Sequence, residues 1–295
     1  MGNLDHVHQS LLYDAEEAIS RAEFHCVTDA IQQLFEIAEL LRCEPSYVSQ
    51  FVRIRVAGGG LDMLQTLLGR TTLSGSESEA IDQQLNRLES SFRLAVATRA
   101  ERALILTTLE NLGRPEIGDF LESLARISDH SQVVSNAYWK NRWWGSWLYR
   151  PRRLHEQTVM LQTLSRFAEL VDTPGPVASA ELAAAEAQFR TQSDDLPACT
   201  VFMMNPNHLR GQALAHRQRL IAARLGLTIC CFRADHGALP DSLDGLPGLA
   251  AIGLQGLSSG APLVYEKSGN GFAIYDESPE EGRFAVEFDP TLGKE

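Results

Sequence analysis

Apolar residues recur every three or four positions along most of the chain, a period that predicts helices. The first predicted helix spans about 11–43, with Leu12, Ala15, Ile19, Ala22, Cys26, Ala30, Leu34, Ile37 and Leu41 on one stripe. Glu44-Pro45 ends it, because proline disfavours helix at the residue before it. A second stripe carries Val48, Phe51, Val52 and Val56, then Leu61, Leu64, Leu67 and Leu68, with Gly58-Gly59-Gly60 between. No strand precedes these glycines and no Gly-Lys-Ser/Thr follows, so the pattern fits close helix approach or a helix break better than a phosphate cradle.

The third pattern opens on Ser76-x-x-Glu79, which has the form of a capping box. Ile81, Leu85, Leu88, Phe92, Val96, Ala103, Leu106 and Leu109 extend it, and Gly113 with Pro115 stops it. One helix of that length would be about 50 Å long and would need the first two beside it to bury its stripe. Further helices are predicted near 116–128, 154–172 and 178–192, the last two separated by Thr173-Pro174-Gly175-Pro176. Asn205-Pro206 starts another, with Leu209, Ala213, Leu220, Ala223, Leu227 and Cys231 inside it and Gly237 at its end.

After Gly237 helical periodicity disappears. Pro262–Glu266, Gly271–Asp276 and Arg283–Phe288 read as three short strands, the first two joined by Ser268-Gly269-Asn270. Such a meander must pack its apolar face on the preceding helix to be stable. The predicted fold class is therefore mainly α: an antiparallel helical bundle or hairpin array with a small C-terminal antiparallel β-sheet of three strands. The division expected is a helical domain over 1–205, then a long helix with a small β module over 206–295.

Composition adds limits. The chain of 295 residues is 44% hydrophobic and 22% charged, which excludes wholesale disorder. Its net charge of −12 opposes binding to nucleic acid and anionic lipid as a whole molecule. The charge is uneven: residues 1–44 hold nine acids and two bases, whereas 131–153 hold five bases and no acid. The five cysteines, Cys26, Cys43, Cys199, Cys230 and Cys231, form no zinc-like spacing and read as buried, unpaired thiols. With no signal peptide and no apolar run long enough to span a bilayer, a soluble, cytoplasmic protein is expected.

The run RLIAARLGLTICCFRADHGALPDSLDGL, followed by APLVYEKSGNGFAIYDES, resembles the C-terminal half of type II secretion pseudopilins. Phe232 stands at that family's aromatic position, Gly237, Pro240, Ser242 and Leu246 fit its turn after the helix, and Gly260, Pro262, Tyr265, Gly271, Phe272 and Tyr275 fit its sheet. The resemblance covers about 220–280 and implies a helix stop, a hook that Leu243 and Leu246 pin to the helix, and an antiparallel sheet. The family's prepilin cleavage site and membrane-spanning helix have no counterpart here, and Asp276–Glu281 lacks the spacing of its calcium loop, so neither filament assembly nor calcium binding is implied. The stretch AIQQLFEIAELLRCEPSYVSQFVRIRVAGGGLDMLQTLL resembles uncharacterised bacterial multi-helical proteins carrying the same tail, whose members often begin with a membrane anchor.

All four tryptophans lie in one basic segment: Trp139, Trp143, Trp144 and Trp147, interleaved with Lys140 and Arg142 and followed by Arg150, Arg152 and Arg153. On a helix Trp139, Trp143 and Trp147 form one stripe, until Arg150-Pro151 ends the turn. Such a mix serves a partner protein, a membrane interface or single-stranded nucleic acid, or acts as a wedge whose arginines pair with acids of the first helix. Gly256-Leu257-Ser258-Ser259-Gly260 matches Gly-x-Ser-x-Gly, but a loop precedes it and a strand follows, the reverse of a nucleophile elbow. His155-Glu156 lacks a second histidine, His236 reads as a helix-end residue, and Glu16, Glu17 and Glu23 read as a solvated face. No cofactor or metal is indicated. The expectation is a non-enzymatic interaction or scaffold protein that binds a protein partner through Trp139, Arg142, Trp143, Trp144, Trp147, Arg150, Arg152 and Arg153. The alternatives are a hydrolase whose site is assembled from scattered helix acids, or a peripheral membrane protein.

Overall fold

The computed structural model describes residues 2–110, 150–193, 206–244, 246, 252, 254–257, 259–276 and 283–289. Among them the fold is mainly helical, with eight α-helices and a three-stranded antiparallel sheet at the C-terminal end. The stripe predicted as one helix over 11–43 is two helices, α1 (Gly2–Ser20) and α2 (Phe24–Leu40). The chain turns at Ala22, which has a φ of 58°. There the amide of Ala22 donates to the carbonyl of Ile19 (3.1 Å) and that of Glu23 to Ala18 (2.9 Å). This is a Schellman ending with alanine where glycine is usual, which explains why no sequence signal marked it.

Ser46 caps α3 (Tyr47–Arg70), its hydroxyl accepting from the Ser49 amide at 3.0 Å. The triple glycine does not interrupt α3. A Cβ on Gly60 would sit 2.5 Å from the Phe35 ring, and one on Gly59 would sit 2.9 Å from His8. Close approach of α2 and α1 to α3 is thus what these glycines permit.

A second predicted helix is also divided. The stripe that opened on Ser76 forms α4 (Gly75–Ser90) and α5 (Leu94–Glu110). The capping box lies two residues earlier than expected, built by Ser74 and Glu77. The cause of the break lies elsewhere in the chain. Arg53, 1% exposed, reaches from α3 to the carbonyls of Leu88 (3.5 Å) and Ser91 (3.3 Å) and to Glu39 (3.2 Å). Asp172 then accepts from the amides of Leu94 (2.8 Å) and Ala95 (3.0 Å), so it caps α5 from a distance.

The helix expected near 116–128 lies outside the described residues. After it come α6 (Arg150–Leu170), α7 (Pro176–Ser193) and α8 (Pro206–His236). Arg150-Pro151 opens α6, and proline is well placed there because its missing N–H would have no partner in a first turn; the turn expected before it lies outside the described residues. The start at Pro206 and the Gly237 stop stand as predicted, the expected cap Asn205 lying outside the described residues; Gly237 takes a φ of 75° and donates its amide to the carbonyl of Arg233 at 2.8 Å.

Helix α8 is the hub, and three arginines fasten it to different neighbours. Arg210 donates to Ser179 (2.6 Å) and the Thr173 carbonyl (2.8 Å), Arg219 pairs with Asp62, and Arg224 bonds Asp82 (2.8 Å), Asn86 (3.1 Å) and Glu89 (3.2 Å). The sheet comprises β1 (Val264–Ser268), β2 (Gly271–Tyr275) and β3 (Phe284–Glu287) in that order. Val264 pairs with Tyr275 and Phe272 with Val286. Its apolar face packs on α8 as expected, and on α3 as well: Phe284 fills the space beside Gly226, and Gly69 lies against the backbone of Glu287. The Gln65 amide donates to Ala285 (3.1 Å) and the Asp289 amide to Gly69 (2.8 Å), which closes the outer edge of β3. One apolar core therefore runs from α2, α3 and α4 through α8 into the sheet.

Candidate functional site

Two places draw attention: the start of α6 and a groove at the end of α8. Of the aromatic and basic candidates, Trp139, Arg142, Trp143, Trp144 and Trp147 lie outside the described residues. Arg150, Arg152 and Arg153 occupy the first turn of α6, where no acidic residue accompanies them. A helix N-terminus carries about half a positive charge, so cations there are disfavoured by about 0.3–1 kcal/mol each at an exposed position. Local preference alone does not explain this arrangement.

The groove has a volume of about 410 Å³. Leu68, Thr71 and Thr72 from the end of α3 form one side, Cys230, Arg233, Ala234 and Gly237 from the end of α8 another, and Phe288 after β3 the floor. The Arg233 guanidinium lies over the Phe288 ring, 3.6 Å from its centroid. Among the described residues its N–H groups meet no carboxylate and no hydrogen-bond acceptor, and the Thr71 and Thr72 hydroxyls are equally uncommitted. Burial pushes the Cys230 thiol up to about 12, so it is neutral at physiological pH. Among the described residues no Asp, Glu or His lines this groove. Sequence reasoning missed Arg233 and Phe288; the one available signal was a base in the last turn of a helix.

His216 was missed too, although it stands in the apolar stripe of α8 between Ala213 and Leu220. It is 7% exposed and tilts against Phe92, with ring centroids 6.0 Å apart. Burial, then the charges of Arg219 and Arg53, lower its pKa to about 3, so it is a neutral core group. His236 behaves as a helix-end residue: its Nδ1 lies 2.9 Å from the Phe232 carbonyl and its ring stacks on Phe232 at 4.0 Å.

The Gly-x-Ser-x-Gly match forms a loop before β1. The Gly256 amide donates to Ala261 (2.7 Å), the Ser259 hydroxyl donates to the Asp276 carboxylate, and Gly256 leaves room for that carboxylate. Asp276 thus pins a turn, and no helix follows the serines. The cysteine expectation needs correction: Cys26, Cys43 and Cys231 are exposed and Cys230, packed against the edge of the main core, is half-buried, while Cys199 lies outside the described residues. Among the described residues no group of three or more His, Cys, Asp or Glu side chains is arranged to hold a metal ion. No described helix is long and apolar enough to cross a membrane. No family model, no curated protein and no solved structure matches this chain.

Proposed function

We propose that this is a non-enzymatic interaction or scaffold protein, which binds a protein partner through the Trp/Arg-rich segment ending at the first turn of α6. The observation that carries the reading is that turn, which holds Arg150, Arg152 and Arg153 at the positive end of the helix dipole and contains no acidic residue. A position that breaks a local rule is one where function is expected to supply the compensation. An acidic partner surface would do so, while the tryptophans preceding the turn provide the aromatic anchors typical of interface centres. The tail is read as a pseudopilin-like module, supported by the αL glycine at 237 and the antiparallel order β1-β2-β3; its role here is to brace α3 and α8.

The test is charge reversal. Arg152→Glu/Arg153→Glu places acids at the positive end of α6, so the variant should melt no lower than the parent. The same variant should lose the partner that the parent captures by cross-linking in its native host. A variant that melts lower would show that the arginines pair with acids inside the fold, and one that keeps the same partner would refute the interface. Vesicle flotation of Trp143→Ala/Trp147→Ala against the parent separates a membrane surface from a protein partner.

A further inference from the structure

We propose that the groove between the ends of α3 and α8 and Phe288 is a binding site for a small amphipathic carboxylate. The acid group would sit on Arg233 and the Thr71 and Thr72 hydroxyls, and the apolar body on Leu68, Ala234 and Phe288. None of these residues belongs to the segment 139–153, so the inference stands apart from the interaction reading.

The volume of about 410 Å³ falls within the ~300–1,000 Å³ usual for small-molecule sites. The lining combines the two kinds of group such sites use: apolar surface from Leu68, Ala234 and Phe288, and polar groups from Arg233, Thr71 and Thr72. Arg233 supplies the charge complementarity. Its guanidinium carbon lies 3.6 Å from the Phe288 ring centroid, a contact that restrains the side chain and lowers the freedom to be lost when a ligand binds. The fork of N–H groups matches a planar carboxylate, and among the described residues no acid occupies it.

Two alternatives are weaker. The ends of α3 and α8 both point their carbonyls this way, which would favour a cation. One carbonyl at each end is already engaged, however, Thr71 donating to Leu67 (2.9 Å) and Gly237 to Arg233 (2.8 Å), and the Arg233 guanidinium in the groove repels a cation. An extended peptide would look for a free strand edge, and the outer edge of β3 is taken by Gln65 and Gly69. A small molecule needs no such edge.

The experiment is calorimetric titration of the full chain with octanoate, octanol and octylamine, with ¹⁵N shifts reporting the place of binding. Octanoate should bind the parent and move the amides of Thr71, Thr72, Ala234 and Gly237. Octanol and octylamine should bind about ten-fold more weakly or worse, the loss expected for one charge-assisted pair. Arg233→Gln should bring octanoate down to the level of octanol, while Arg233→Lys should fall between. Thr72→Val, an exposed change that leaves the fold intact, should weaken octanoate several-fold and leave octanol unchanged. Equal binding of octanoate and octanol, tighter binding of octylamine, indifference to Arg233→Gln, or no binding to the parent would each overturn the proposal. A peptide with a free C-terminal leucine that binds more tightly than octanoate, while its amide does not, would overturn the small-molecule assignment.

Discussion

The slab of α2, α3, α4, the second half of α8 and the sheet is joined differently from the layer of α5, α6 and α7. The slab shares one apolar core, with Ile31, Leu34, Leu61, Leu64, Ile81, Leu225, Ile274 and Phe284 all sealed from solvent. The layer meets it through a smaller cluster around Tyr47, Phe92, Leu94, Val171 and Leu209, and through polar side chains that cap helix ends across the boundary. Asp172 caps α5, Glu101 accepts from the first amide of α3 (3.0 Å), and Arg210 holds the turn between α6 and α7. Apolar burial is non-directional and tolerates small shifts, whereas a cap works only at one geometry. The layer should therefore open at lower free energy than the slab.

The largest effect is expected where the slab is welded. Phe284→Ala removes a ring packed against Gly226 and should cost about 3–5 kcal/mol, read as a lower urea midpoint for the whole chain. A loss confined to the tail, with helices melting as before, would show that the sheet is an appendage and that the core is not shared.

Acid should act on the boundary. His216 has a pKa lowered from 6.5 to about 3 in the fold, so the unfolded chain binds the extra proton between those values. Stability from this group is complete above its unfolded pKa and is lost as pH falls toward the folded one, about 2 kcal/mol of it by about pH 5. His216→Gln should flatten stability over that interval, measured by urea titration at several pH values. An unchanged slope would mean that the imidazole is not buried against Phe92. Asp172→Ala should cost less, about 1–2 kcal/mol, and hydrogen exchange should quicken first at Leu94 and Ala95. Equal quickening in α3 would erase the distinction between the two regions.

Much of this was visible in the chain because it is written locally. The start at Pro206, the stop at Gly237 and the three strands each follow from a few adjacent residues, whereas the triple glycine left close approach and a helix break both open. The breaks that were missed have remote causes: Arg53, in α3, and Asp172, after α6, end one helix and begin the next at 91–94. Periodicity alone continues smoothly through both breaks, since Leu88, Phe92 and Val96 keep the helical step. The groove was hidden for the same reason, because Leu68, Arg233 and Phe288 meet only after α3, α8 and β3 have packed.

The break at Ala22 is the exception, a local device written with an unusual letter. Both Schellman bonds are present, and the αL residue between them carries a methyl group that costs about 1–2 kcal/mol in that conformation. Ala22→Gly removes that strain but enlarges the unfolded ensemble, which returns about 0.4–1 kcal/mol of the gain. The net expectation is a rise in stability of about 0.5–1 kcal/mol, the smallest effect and the one opposite in sign. A urea midpoint that falls would mean that α1 and α2 do not turn at this residue. The continuous helix over 11–43 would then be restored, because glycine in a helix interior lowers stability relative to alanine.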